Sequence, residues 1–216
     1  MVSVDLKCGK EVLQANFKKE KVMAVLKGEF PPSPTKEAEQ EEILRSIREP
    51  IGVLPLSSIV SKGKKIVIMA SDITRPVPSY KILPPLLDEL NICGVPDSDI
   101  VVMFGMGIHR AHTKEEQVAL VGQEVYDRVS CRDSIEDEYI LMGTSSQGTP
   151  YYVNEVVASA DLRICTGNIE YHWFAGYSGG AKAILPGACN YETIKNNHAM
   201  ISKEGSEPGQ IGRAHV

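Results

Sequence analysis

The stretch KKIVIMAS at residues 64–71 indicates the fold class, because it is a short and almost wholly apolar run rich in β-branched residues. Such a run is typical of a strand that is buried on both faces of a sheet. A similar run, DIVVMFG, follows at 99–105, and the segment 84–94 between them is predicted to be a helix that begins at its prolines and ends at Gly94. Strand, helix and strand at this spacing predict a right-handed βαβ unit.

The flanking segments continue this alternation of strands and helices. They are, in chain order, a strand pair at 2–8 and 21–28, a helix within 31–51, a helix at 113–122 with a Thr113–Glu116 capping box, a strand at 138–143, a helix at 152–160 and a strand at 161–167. We therefore predict an α/β fold with an open, mostly parallel, Rossmann-like sheet and helices on both faces.

Composition restricts the possible partners and location. The 216 residues carry a net charge of −5, and 43% of them are apolar, as in an ordinary soluble protein. The acidic balance argues against nucleic acid as a partner, and no apolar run is long enough to span a membrane, so we expect a cytoplasmic protein. The five cysteines form no C-x-x-C pair, which favours packing roles over disulfides or zinc.

Residues whose side chains could bind a ligand or take part in a reaction cluster in three loops, at 71–79, 105–113 and 167–180. Each loop follows a predicted strand. In an open parallel sheet, ligands bind beyond the carboxyl ends of the strands. The first loop brings Asp72, Thr74 and Arg75 to that edge. Arginine suits bidentate capture of a carboxylate or phosphate, although a local Asp–Arg pair is the simpler interpretation.

The second loop contains a partial glycine motif and two histidines. Gly105 and Gly107 begin a dinucleotide fingerprint, but Arg110 occupies the position of its third glycine, so a nicotinamide oxidoreductase is disfavoured. His109 and His112 lie in a loop and not on one helical face, which argues against a metal site. One histidine acting as a general base is the better hypothesis.

The third loop leads into an isolated lysine. Lys182 follows Ser178 and the glycine pair Gly179–Gly180 and has apolar neighbours, with His172 ten residues upstream. From these residues alone, the lysine could bind a phosphate, form a covalent bond or pack its aliphatic chain against apolar surface.

Four stretches together resemble the amino-terminal half of the nickel-dependent lactate racemase family. They are SDITRPVP, GMGIHRAHT, EYHWFAGYSGGAKAILPGA and the NNH at 196–198, in the order of that family, and the resemblance covers about residues 60–200. Any one of these stretches would be unspecific, but the set is specific.

The resemblance implies a nickel-bearing cofactor, a pincer nucleotide of the pyridinium-3,5-bisthiocarboxylic acid mononucleotide type. By similarity, Lys182 is covalently tethered to it and His198 completes the nickel coordination. The resemblance also implies that His109 and His172 are the acid/base residues, with Asp72 and Arg75 as further residues of the substrate and cofactor site. The remaining cofactor contacts expected are Thr74, Ser178, Gly179 and Gly180.

The reaction implied is racemisation or epimerisation of a small 2-hydroxy acid through a hydride transfer. One histidine is needed for each enantiomer, because the hydroxyl lies on opposite sides in the two substrates. A phosphate- or nucleotide-binding α/β domain without racemase activity is the alternative.

Family members are longer than this chain, so the resemblance also implies incompleteness. We expect residues 1–200 to be the amino-terminal catalytic domain, a carboxy-terminal domain to be missing, and the fragment itself to be inactive. Residues 201–216 are expected to be a non-native or unstructured truncated tail, since IGRAHV resembles a translated sequencing adapter. Enzymes that synthesise the cofactor are expected partners.

Overall fold

The computed structural model describes residues 1–26, 28, 32–204 and 206–209. The chain divides into two compact units, Met1–Thr35 and Lys36–Val216. The IGRAHV segment at 211–216, which ends the predicted tail at 201–216, lies outside the described residues. The expected extent of the catalytic domain, 1–200, stays a prediction.

The first unit contains an antiparallel hairpin of β1 (Val2–Cys8) and β2 (Glu11–Phe17). The prediction of a partner strand at 21–28 was wrong, since the described residues there are a 3-10 turn followed by coil, and residue 27 lies outside the described part. The chain reverses earlier because Gly9, with a φ of 61°, opens a two-residue turn in which Cys8 pairs with Glu11.

The second unit alternates helices and strands. In chain order they are α1 (Lys36–Arg48), α2 (Leu56–Ile59), β3 (Ile66–Ser71), α3 (Ser79–Ile92), β4 (Ile100–Gly105), α4 (Lys114–Val121), α5 (Gln123–Arg128), β5 (Ser130–Asp133), β6 (Tyr139–Thr144), β7 (Pro150–Asn154), α6 (Glu155–Ser159), β8 (Leu162–Cys165), β9 (Tyr171–His172), β10 (Gly176–Tyr177) and α7 (Tyr191–Ala199). Single 3-10 turns lie at Asp97–Asp99, Gly180–Ala183 and Met200–Ser202.

Four of these strands form a parallel sheet in the order β5-β4-β3-β8. The chain runs outward from β3 through β4 to β5 and then returns to the other side of β3. This arrangement places a topological switch point at β3 and β8, where open α/β sheets bind their ligands. The strand predicted at 138–143 exists as β6, but it pairs with β7 in a separate antiparallel hairpin.

Alternate residues of the central strand pack on opposite faces of the sheet, as the period of two in a strand requires. On one face Ile66 and Ile68 contact the leucines of α3. On the other face Val67 and Met69 pack with residues of α6 and α7. The predicted α/β class, with helices on both faces of an open parallel sheet, is therefore confirmed.

Two helix boundaries differ from their predictions. Helix α3 begins at Ser79 and contains Pro84 and Pro85 in its interior. Four buried leucines at helical spacing (Leu83, Leu86, Leu87 and Leu90) outweigh the two hydrogen bonds that the prolines cannot donate. The segment 152–160 is strand at first and becomes helix only after Asn154, whose side chain accepts the N–H groups of Val156 and Val157.

Strand β5, SCRD, was not predicted, because its four residues lack an apolar run. Within the described residues, no helix combines the length and the apolar character that crossing a bilayer requires.

Candidate active site

The loops after β3, β4 and β8 meet at the carboxyl edge of the sheet and line a cleft of about 240 Å³. The predicted site residues that line this cleft are Asp72, Arg75, His109, His172, Ser178, Gly179, Lys182 and His198. Thr74 and Gly180 lie in the same loops but are not among the lining residues. The structure therefore brings these residues together from four separate segments of the sequence.

Asp72 and His109 form a hydrogen-bonded pair between the first and second loops. Asp72 is 3% exposed, and its Oδ1 accepts the backbone N–H of Thr74 at 2.9 Å and the Thr74 hydroxyl at 2.6 Å. Its Oδ2 contacts Nδ1 of His109. Burial opposes ionisation of Asp72, but the hydrogen bonds from Thr74 and His109 outweigh it and lower the pKa of the carboxyl.

The ionised Asp72 determines which nitrogen of His109 is a base. Because Oδ2 accepts a hydrogen bond from Nδ1–H, the neutral ring carries its lone pair on Nε2. The His109 side chain is 43% exposed, so this lone pair can reach a ligand. Thr74 thus contributes by fixing Asp72.

His172 has the opposite hydrogen-bond polarity. It ends β9, and its Nδ1 accepts the backbone N–H of Ala175 at 3.2 Å and of Phe174 at 3.5 Å. Burial lowers the pKa of His172, and the charges of Lys182 and Arg75 lower it further. The ring is therefore neutral near pH 7 and carries its proton on Nε2.

Lys182 lies in the 3-10 turn Gly180–Ala183 with its side chain half-buried. Burial lowers the pKa of Lys182 to about 8, with the charge of Arg75 acting in the same direction and Glu170 opposing both. Arg75 is itself only 3.9 Å from Glu170. A lysine in these surroundings provides a free amine at far lower pH than a solvated one.

We expect acetylation of Lys182 by an amine-directed reagent to rise with pH along a titration curve centred near 8. The measurement is peptide mass spectrometry after brief labelling at a series of pH values. The same peptide labelled in denaturant is the control, and its midpoint should return to about 10.4. A midpoint in the folded protein equal to that of the denatured control would contradict the burial of this amine.

His198 supplies the unpartnered nitrogen of the site. It lies near the end of α7, its Nδ1 is buried without a hydrogen-bond partner in the described structure, and its ring contacts Phe174 edge-on at 5.1 Å. Burial lowers the pKa of His198, the nearby Ile194 carbonyl one turn earlier opposes this without forming a well-aligned hydrogen bond, and Lys182 adds to the lowering. A neutral imidazole with a free nitrogen is a suitable metal ligand.

Among the described residues, no group of three or more histidine, cysteine or carboxylate side chains is arranged so that it could hold a metal ion. A metal at His198 would therefore need most of its donors from a bound group. The imidazole of His198, whose Nδ1 is unpartnered, fits a metal that arrives with its own ligands.

The loop before Lys182 is held by its own hydrogen bonds. The Ser178 hydroxyl donates to the Asn168 carbonyl at 2.8 Å and accepts the Glu170 N–H at 2.9 Å. Gly179 has a φ of 84°, and a Cβ there would lie 3.1 Å from the Asn168 oxygen. Ser178 and Gly179 therefore shape the cleft wall as well as lining it.

Ser134, directly after β5, is a supporting residue that the sequence analysis missed. The Ser134 hydroxyl donates to the Gly187 carbonyl at 2.7 Å and accepts the Met106 N–H at 3.1 Å. It thereby joins the second loop to the segment after Lys182. Because β5 was not predicted, the position of Ser134 and its neighbour Asp133 at this edge could not be predicted either.

Gly187 is the tightest backbone position in the site. A Cβ there would lie 2.2 Å from the Ala183 carbonyl oxygen and 3.3 Å from the Gly105 Cα. We expect Gly187→Ala to destabilise the fold by about 3 kcal/mol, as overpacking against backbone does. Thermal unfolding measures the loss as a fall in Tm of roughly 6–12 °C.

Gly180→Ala is the matched control for this substitution. Gly180 has a φ of 55° but open space around its Cβ position, so backbone strain alone should cost about 1 kcal/mol. If the two variants unfold at the same temperature, the close backbone approach at Gly187 does not cause the loss of stability.

Comparison with known proteins finds one family and several relatives that are similar to this chain. The family model described as lactate racemase N-terminal domain matches residues 8–209. The lactate racemase of Lactiplantibacillus plantarum is 37% identical over 202 residues, which are 92% of this chain and 47% of that protein. The lactate racemase of Thermoanaerobacterium thermosaccharolyticum is 33% identical over 201 residues, with the same two coverages.

A solved structure is similar over almost the whole chain. The lactate racemase apoprotein from Thermoanaerobacterium thermosaccharolyticum superposes with a TM-score of 0.80 at 31% identity, over 96% of this chain and 49% of that one. The chain therefore spans about half the length of the curated relatives it matches.

Proposed function

The chain belongs to the lactate racemase N-terminal domain family, and we propose from this that it is the amino-terminal catalytic half of a racemase or epimerase. The proposed substrate is a small, lactate-like 2-hydroxy acid. The matched relatives are about twice as long, and the proposal includes a second, carboxy-terminal half that activity of the whole enzyme needs.

The observation that carries the proposal is the pair of histidines on one cleft with opposite hydrogen-bond polarity. His109 holds a lone pair on Nε2, and His172 holds a proton on Nε2. Inverting a 2-hydroxy acid requires a group that removes the hydroxyl proton of one enantiomer and another that serves the mirror-image hydroxyl. Two imidazoles from separate loops meet that requirement.

The proton steps follow from these nitrogens. His109 takes the hydroxyl proton of one enantiomer on Nε2, and the Asp72 carboxylate stabilises the imidazolium that forms. For the other enantiomer, the proton comes from Nε2–H of His172 in its imidazolium form, which ends as a neutral ring with its proton on Nδ1, because loss of Nε2–H from a neutral ring would leave an imidazolate. To act as a base in return, His172 must carry its proton on Nδ1 and release two backbone bonds, which at 3.2 and 3.5 Å are long ones.

The remaining lining residues suit the substrate and a cofactor. The Arg75 guanidinium is the donor suited to the carboxylate of a hydroxy acid. Lys182, with its lowered pKa, would hold a nickel-pincer nucleotide covalently, and His198 would ligate its nickel. When bound, that group supplies acceptance and return of the hydrogen on the α-carbon.

The test is to express the chain together with cofactor-synthesising enzymes and to measure its intact mass. We expect an added mass that peptide mapping assigns to Lys182, and no added mass without those enzymes. Nucleotide bound only non-covalently, with Lys182 unmodified, would favour the alternative of a nucleotide-binding domain. Racemisation itself is measured with a protein completed by its second half.

A further inference from the structure

A second histidine–carboxylate pair lies beneath the cleft. The side chains of His112 and Asp133 are 1% and 0% exposed. Asp133 Oδ1 accepts His112 Nδ1–H at 2.7 Å, and its Oδ2 accepts the His112 backbone N–H at 2.6 Å. Gln117 donates a further bond to Oδ1 at 3.1 Å, and Phe104 contacts the His112 ring edge-on at 5.2 Å. The pair is thus held from several sides without lining the cleft.

The other ring nitrogen of His112 reaches the first loop. Its Nε2 accepts the backbone N–H of Ile73 at 3.1 Å. Ile73 follows Asp72 directly, so this bond ties the backbone beside Asp72 to the loop that carries His109. The tie requires a neutral ring, because Nδ1 donates while Nε2 accepts.

Asp72 in turn controls His109. A hydrogen bond from Nδ1–H needs the carboxylate within about 3 Å, so a shift of about 1 Å in the first loop would break it. Without that bond, the proton of His109 is free to move to Nε2, and the lone pair that serves as base is lost.

We propose that His112 and Asp133 are positioning residues that lock the first loop against the second and thereby keep His109 in the tautomer with a free Nε2. The catalytic use of that tautomer rests on the proposed function. The lock itself is a property of this chain and can be measured without cofactor or substrate, so its failure is distinguishable from failure of the racemase assignment.

The experiment is imidazole and amide NMR on the uniformly ¹⁵N-labelled 216-residue chain. In the wild type we expect the His109 proton on Nδ1 and a protected Ile73 amide in hydrogen exchange. His112→Phe, which fills the space but bonds to neither loop, should lose the His109 Nδ1–H signal and speed Ile73 exchange at least tenfold. His112→Gln, which retains a donor and an acceptor, should restore part of both.

Two further variants separate positioning from general stability. Val121→Ala, a core change on the same face of the sheet, should lower stability and leave the His109 tautomer unchanged. Asp133→Asn, which puts a donor opposite the His112 N–H, should reproduce the effect of His112→Phe and replaces it if that variant does not fold. An Ile73 amide that exchanges freely in the wild type, or an unchanged His109 tautomer in a folded His112→Phe or Asp133→Asn variant, would overturn the proposal.

Discussion

Replacing Lys182 by alanine is expected to abolish covalent loading of the cofactor completely. Attachment requires a neutral amine, and with a pKa of about 8 roughly a tenth of Lys182 is neutral at pH 7. A solvated lysine would be neutral to well under a tenth of a per cent at that pH. Lys182→Arg should fail equally, because guanidinium stays protonated and is a poor nucleophile.

The measurement is intact mass after co-expression with cofactor-synthesising enzymes. Lys203→Ala is the matched control, because Lys203 lines the adjoining cavity that Lys182 also borders and should not affect loading. Full loading of either Lys182 variant would show that another residue is the anchor.

Loss of loading in these variants should not reflect unfolding. Because the folded-state pKa of Lys182 is lowered, the folded protein binds this proton less readily than the unfolded chain. The group therefore costs stability below pH 8, and that cost disappears as the pH rises from about 8 towards the unfolded value near 10.4. Lys182→Ala is expected to retain or raise the Tm at pH 7.

The parallel sheet was predictable because its two central strands have a clear apolar pattern in the sequence. The runs IVIMA and IVVMF are apolar at every position and rich in β-branched residues, as is typical of a strand buried on both faces. Strand β5 was not predicted because its burial depends on hydrogen-bond partners that are distant in the sequence. Asp133 is buried through bonds from His112 and Gln117, and no local pattern reports such bonds.

The sequence predicted which residues meet in the cleft, but it did not predict the hydrogen bonds that these residues make. Parallel strands direct their carboxyl ends to one edge, so loops that follow strands converge whatever their contents. The hydrogen-bond polarity of His109 and His172 depends on which atoms face Nδ1, an aspartate in one case and backbone N–H groups in the other. These partners are set by loop geometry that residue spacing does not encode.

The three histidines of the cleft are expected to divide into two functions when the protein is completed by its second half. His109→Ala and His172→Ala should each reduce racemisation by about 10²–10⁴-fold, the usual contribution of a general acid or base, while nickel stays bound. Because the equilibrium constant between enantiomers is one, each variant must lose kcat/KM equally in both directions.

His198→Ala should instead reduce the nickel content, since it removes the buried, unpartnered imidazole nitrogen. Metal analysis beside polarimetry on the same preparations measures both quantities, and circular dichroism checks that each variant is folded. Nickel lost from His109→Ala but retained in His198→Ala would reverse the two roles. The separation has a physical reason: the contact with Asp72 at Nδ1 leaves the Nε2 lone pair of His109 to exchange a proton, whereas a lone pair bound to a metal cannot exchange one.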